Sequence, residues 1–165
     1  MRWNRLVIGY LAVLMLTACS KPETWTAYTF EDSASGVSFR MQYPAHWALT
    51  EQPGWDGDAL REASPDAGVR FDLAEDETLI VAAMRFAPLT LDAAVYATAG
   101  FTADNGMAGT RYTQRKETRV SVYYLFGGEE LPQYYAAVNM SQSFYEEQQR
   151  EIEQAIKSME IKSPA

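Results

Sequence analysis

Residues 120–159, VSVYYLFGGEELPQYYAAVNMSQSFYEEQQREIEQAIKSM, change period partway along, and that change decides the fold class. Val120, Val122, Tyr124 and Phe126 alternate with Ser121, Tyr123 and Leu125, the period of two that a strand imposes. Tyr134, Ala136, Val138 and Met140 repeat the pattern. Between them lies Gly127-Gly128-Glu129-Glu130-Leu131-Pro132, a hairpin loop by its glycines and proline. After Met140 the period lengthens. Ser143-Phe144-Tyr145-Glu146 fits an S-x-x-E capping box, and Tyr145, Ile152, Ala155, Ile156 and Met159 make one apolar stripe. Glu147, Arg150, Glu151 and Glu153 fall opposite it. A hairpin followed by a one-faced helix predicts an antiparallel sheet with a helix packed on it, an α+β domain.

The upstream chain reads the same way. Val37, Phe39, Met41 and Tyr43 alternate with Ser38, Arg40 and Gln42, and Pro44, which lacks an amide donor, ends the strand. Val69, Phe71 and Leu73 alternate around Arg70 and Asp72. Leu79 to Met84 is apolar throughout, as a central strand covered on both faces requires. Glu75-Asp76-Glu77 reads as a solvated turn before it, and Trp25 to Phe30 as a first strand with weaker alternation. A helix is expected after Thr90, which is placed to cap it. Asp92 sits in its first turn, Leu91, Ala94, Val95, Thr98 and Phe101 follow helical spacing, and Gly106 comes after its end. Tyr123 and Tyr135 point away from the apolar rows of their strands and are expected to be core if both sheet faces are covered.

The N-terminus carries an export design. Arg2 and Arg5 precede an apolar run from Leu6 to Leu16, broken only by Gly9 and Tyr10. Eleven helical residues rise only about 16 Å, too short for a hydrocarbon core of roughly 30 Å. Leu16-Thr17-Ala18-Cys19 resembles the lipobox of bacterial lipoproteins. That resemblance implies cleavage before Cys19, a thioether-linked lipid on its sulfur and further acylation of the new amino group, and two or more chains anchor stably. Residues 1–18 are then a signal peptide, 19–24 a lipidated tether and 25–162 a single domain. Cys19 is the only cysteine, so the mature chain has no partner for an internal disulfide.

Removing residues 1–18 takes away two basic residues and no acidic one, leaving 12 basic against 22 acidic residues, a net charge of −10. Such a domain is not built to bind nucleic acid, whose phosphates need the opposite charge.

Several side chains are candidates for function. His46 is the only histidine and has no recognisable catalytic or metal-binding companion, so it reads as a loop residue. No catalytic residue, metal site or cofactor is expected. Trp55-Asp56-Gly57-Asp58 lacks the remaining ligand positions of a calcium loop and reads as a turn, with Trp55 a candidate partner contact. Arg111, Arg115, Lys116 and Arg119 gather positive charge in nine positions. Counted as one strand, Arg111, Arg115 and Arg119 share a face, either to bind an acidic partner or lipopolysaccharide or to guard a sheet edge.

Ser35-Gly36-Val37-Ser38-Phe39-Arg40-Met41-Gln42-Tyr43-Pro44 followed by Ala45-His46-Trp47 resembles the opening strand and turn of PsbP-like domains. Leu89-Thr90-Leu91-Asp92-Ala93-Ala94 is similar to that family's internal helix start, and Ile156-Lys157-Ser158-Met159 to its terminal motif. The resemblance spans about residues 30–162. It implies an α/β/α sandwich around an antiparallel sheet, of the PsbP and DcrB type, in which binding or assembly modules rather than enzymes are the rule. The expected function is a lipid-anchored, non-catalytic module of the bacterial envelope, held to the membrane by its N-terminal lipid. Ser20, in place of Asp, favours the outer membrane and a periplasm-facing position. Its partner would be an envelope protein or lipopolysaccharide. The competing readings are an envelope hydrolase with a carboxylate-based site and a structural or stress lipoprotein without a tight partner.

Overall fold

The computed structural model describes residues 23–51, 67–128 and 130–162. Cys19 and Trp55 lie outside the described residues.

In chain order the elements are β1 (Trp25–Asp32), β2 (Val37–Pro44), β3 (Ala48–Glu51), β4 (Ala67–Ala74), β5 (Glu77–Met84), β6 (Ala97–Thr102), β7 (Ala108–Lys116), β8 (Arg119–Phe126), β9 (Gln133–Ser141), α1 (Gln142–Lys157) and β10 (Glu160–Ile161). They make a three-stranded sheet, β1-β2-β10, and a seven-stranded sheet, β3-β4-β5-β9-β8-β7-β6, with every pairing antiparallel. The fold is therefore α+β with antiparallel sheets, as the sequence predicts. Alternation sorts the side chains. Val69, Phe71, Val81, Val122, Tyr124, Val138 and Met140 face α1 and the small sheet in the main core, joined there by Phe39, Met41, Ile152 and Ile156. Ile80, Ala82, Tyr123, Leu125, Tyr135 and Ala137 point to the other face. Tyr123 and Tyr135 are buried, as expected for a sheet covered twice. Trp47 is 3% exposed and packs edge-on against Phe71, ring centroids 6.1 Å apart.

The helix expected after Thr90 is absent. Asp92 instead closes a tight turn: its carboxylate accepts from the Ala94 amide at 2.8 Å, and its carbonyl from Val95 and Tyr96 at 2.9 and 3.0 Å. The chain then enters β6, the edge strand of the large sheet beyond β7. A helix would have set Leu91 and Phe101 on one stripe, but the sheet separates them. Phe101 packs edge-on over Tyr124 and Phe126 in the main core, while Leu91 and Tyr96 cover the opposite face. Thr98, Gly100 and Thr102 are poor helix residues, and pairing with β7 supplies the backbone partners that a helix would have given. Gly106, expected after a helix end, has φ +87° and serves the β6–β7 turn.

Two smaller expectations also change. Helix α1 starts at Gln142 with Ser141 as its cap residue, so Ser143 lies inside the first turn rather than capping it. Glu77 is not part of a solvated turn. It opens β5, is 9% exposed, and its carboxylate accepts from the Ser141 amide at 2.7 Å and the Ser141 hydroxyl at 2.6 Å. The first turn of α1 contains no acidic residue. Glu77 therefore brings negative charge to the positive end of the helix from a strand 64 residues away.

Candidate functional site

The basic segment is a hairpin, not one strand. β7 ends at Lys116, Glu117 takes a positive φ of 43°, and β8 begins at Arg119 opposite Lys116. Counting by twos through that turn placed Arg111, Arg115 and Arg119 on one face. The register divides them. Arg111 pairs across from Tyr124 and Arg115 from Val120, both on the α1 side, whereas Arg119 precedes Ser121 and Tyr123 on the other side. The segment is not the sheet edge either, since β6 takes that position.

On the α1 side the arginines meet the helix. Arg111 Nη1 lies 3.2 Å from Glu153 Oε1, which also accepts from Gln149 Nε2 at 2.8 Å. Arg115 Nη1 lies 3.1 Å from Glu146 Oε1. Burial works against the Arg111 charge, but Tyr124, Tyr145 and Glu153 outweigh it and hold the guanidinium protonated beyond its usual range. Tyr124 is buried without a well-formed hydrogen bond to its hydroxyl, and burial, with Tyr145 and Glu153 adding to it, pushes its ionisation up. Arg111 and Arg115 thus lace the sheet to the helix. Exposed pairs of the Arg115–Glu146 kind contribute about 0–1 kcal/mol.

Arg119 faces a different environment. Its Nη2 donates to the carbonyls of Asp76 at 2.9 Å and Asn139 at 3.1 Å, its Nε to Asn139 Oδ1 at 3.3 Å, and Glu77 Oε2 lies 3.9 Å away. These contacts hold the guanidinium against one wall of an open cleft of about 770 Å³ that also takes in Lys116, Tyr96, Tyr123, Gln114 and Val95, with Glu117 as its one acidic lining residue. The Tyr96 ring stands edge-on to Tyr123, centroids 5.7 Å apart, and to Tyr112 at 6.5 Å. Val95 is 49% exposed at the rim. Two cations beside an aromatic wall suit an acidic, partly apolar ligand segment.

His46 sits in the turn between β2 and β3 with its side chain 59% exposed, and its Nδ1 is 3.3 Å from Glu23 Oε1. Glu23 and Glu151 lie beside His46 from the two ends of the domain sequence, so no spacing motif could reveal them. Glu77 was missed for the same reason, its partner being remote.

No family model matches the chain, and no curated protein matches it. Among solved structures, the solution structure of cyanobacterial PsbP (CyanoP) from Synechocystis sp. PCC 6803 superposes with a TM-score of 0.53 at 13% identity, covering 89% of this chain and 99% of that one. That superposition across nearly the whole of both chains gives this protein a PsbP-like fold.

Proposed function

We propose that this chain is a non-catalytic binding or assembly module, anchored to the bacterial envelope by lipid on Cys19 and facing the periplasm, with the outer membrane as its destination. The observation that carries the binding role is the cleft on the face away from α1. There Lys116 and Arg119 stand beside Tyr96 and Tyr123 in a domain whose net charge is otherwise strongly negative. The PsbP-like fold supports the reading, because the resemblance is to binding and assembly proteins. A hydrolase would need carboxylates converging on a reacting centre. Here Glu146 and Glu153 face arginines and Glu77 serves a helix end, while Glu23 and Glu151, which do meet beside His46, stand at the surface away from the residues that line the cleft. The favoured partner is an envelope protein presenting an acidic segment.

A photo-crosslinking residue placed at Gln114 or Thr118 in intact cells tests the cleft, with Arg150 on the outer face of α1 as the comparison. Capture of one protein from positions 114 and 118 but not 150, lost with Lys116→Glu and weakened by salt, is the expected result. Exposed charges are screened over roughly 8–10 Å at physiological ionic strength. Capture of lipopolysaccharide instead would replace the protein partner, and equal capture from all three positions would remove the cleft from the reading. For the anchor, Cys19→Ser should abolish incorporation of a clickable fatty acid; undiminished label on that variant would refute lipidation at Cys19.

A further inference from the structure

We propose that Glu23, His46 and Glu151 form a binding site for a divalent transition-metal ion of the zinc class, tying the segment ahead of β1 to α1. The proposal is independent of the partner cleft, which lies on another part of the domain. Each residue offers one donor atom, and the three donors lie within 4.8 Å of one another. They come from three separate places: the chain just before β1, the β2–β3 turn and the third turn of α1.

Each position is held by structure that does not involve the donors. The Ala45 amide donates to the Thr24 carbonyl at 2.8 Å, which fixes the segment carrying Glu23 against the turn carrying His46. That turn is closed by the Trp47 amide on the Pro44 carbonyl at 3.0 Å and anchored by the buried Trp47 ring. Glu151 precedes Ile152, which is fully buried under α1. The backbones are therefore set before any ion arrives, and only side-chain rotations remain to be lost on binding.

The distances fit a small ion. Tetrahedral bonds of about 2.0–2.2 Å to nitrogen and oxygen put neighbouring donors roughly 3.3–3.6 Å apart. His46 Nδ1 and Glu23 Oε1 are already 3.3 Å apart. Glu151, at most 4.8 Å from the others, has about 1.2 Å or less to close to reach that spacing. One imidazole with two carboxylates favours zinc and its neighbours over calcium, which takes six to eight oxygen donors. The fourth position would be left to water.

The test uses the full chain without a histidine tag, so that His46 is the only imidazole. Zn²⁺ is added while its binding is followed by calorimetry and the single imidazole resonance by NMR. The expected result is one ion per chain, a shifted His46 resonance and a tetrahedral absorption band when Co²⁺ replaces Zn²⁺. His46→Ala, Glu23→Gln and Glu151→Gln should each weaken binding by about tenfold or more. All three sites reach solvent, so metal-free melts of these variants should stay close to the parent, which separates loss of a ligand from loss of fold. Binding that survives all three substitutions, a His46 resonance that does not move, or displacement of Zn²⁺ by an equal concentration of Ca²⁺ would each overturn the proposal.

Discussion

Replacing Glu77 with alanine should destabilise the domain far more than a residue at the start of a strand ordinarily would. The side chain is 12% exposed and its carboxylate takes both the amide and the hydroxyl of Ser141, with Arg119 Nη2 at 3.9 Å. Hydrogen bonds to a charged acceptor contribute about 1.5–3 kcal/mol each, and leaving a buried donor unpaired costs about 1–3 kcal/mol. Water entering the vacated space recovers part of this. The helix also loses a carboxylate held at its N-terminus, for about 0.3–1 kcal/mol. A net loss of about 3 kcal/mol follows, and for a domain of this size that lowers Tm by about 6–12 °C. Thermal and urea melts of Glu77→Ala measure it. Ser141→Ala removes only the hydroxyl, and the double variant should then lose less than the sum of the two, by about 1 kcal/mol or more. A Glu77→Ala protein melting within 1–2 °C of its parent would refute the role given to this carboxylate. So would full additivity with Ser141→Ala.

Trp47→Ala should cost about 3–5 kcal/mol, read from a denaturant midpoint, because the ring is buried against Phe71 and collapse around it is limited. Arg111→Glu places a second carboxylate opposite the half-buried Glu153 and should lower stability by about 1–2 kcal/mol, whereas Arg115→Glu, facing an exposed Glu146, should change it by less than about 1 kcal/mol; melts of the two variants compare them directly. Tyr28, Tyr124, Tyr135 and Tyr145 all have ionisations raised above the ordinary value of 10.0, with burial the first cause in each. Their neutral form is favoured in the folded state, so the stability they contribute is full below pH 10 and is lost as pH rises towards their folded values. Absorbance at 295 nm should therefore show a set of tyrosines that ionise only with alkaline unfolding, and a single smooth titration of all ten near pH 10 would contradict the burial described.

What the sequence shows well here is whatever repeats locally. The alternation in 37–43, 69–73 and 120–140 emerges as strands because the same two-residue period that sorts apolar from polar side chains also sorts the two faces of the sheet. The stripe in 145–159 emerges as a helix for the equivalent reason. Residues 91–101 mislead because their helical spacing is real in the sequence but serves both faces of one sheet. Phe101 and Leu91 end on opposite sides of it. The arginine face was misplaced by a single turn at Glu117, since one hairpin resets the parity of everything after it. Glu77 with Ser141, and Glu23 with His46 and Glu151, were invisible because each group is assembled across most of the chain. No local pattern records a neighbour that distant.

The two sheets are finished by strands that come late. β5 lies between β4 and β9, and β9 begins at Gln133; the small sheet takes its third strand, β10, from Glu160 and Ile161, opposite Phe39 and Arg40. Until those last residues are present, β5 has one open side and α1 has not yet been made to cover the core. Long-range pairing of this kind is slow, because the entropy of closing the loop is lost before the contacts return it. A chain lacking β9, α1 and β10 therefore leaves both sheets incomplete. Under the proposed export of the chain as an extended thread, such a delay would be an advantage.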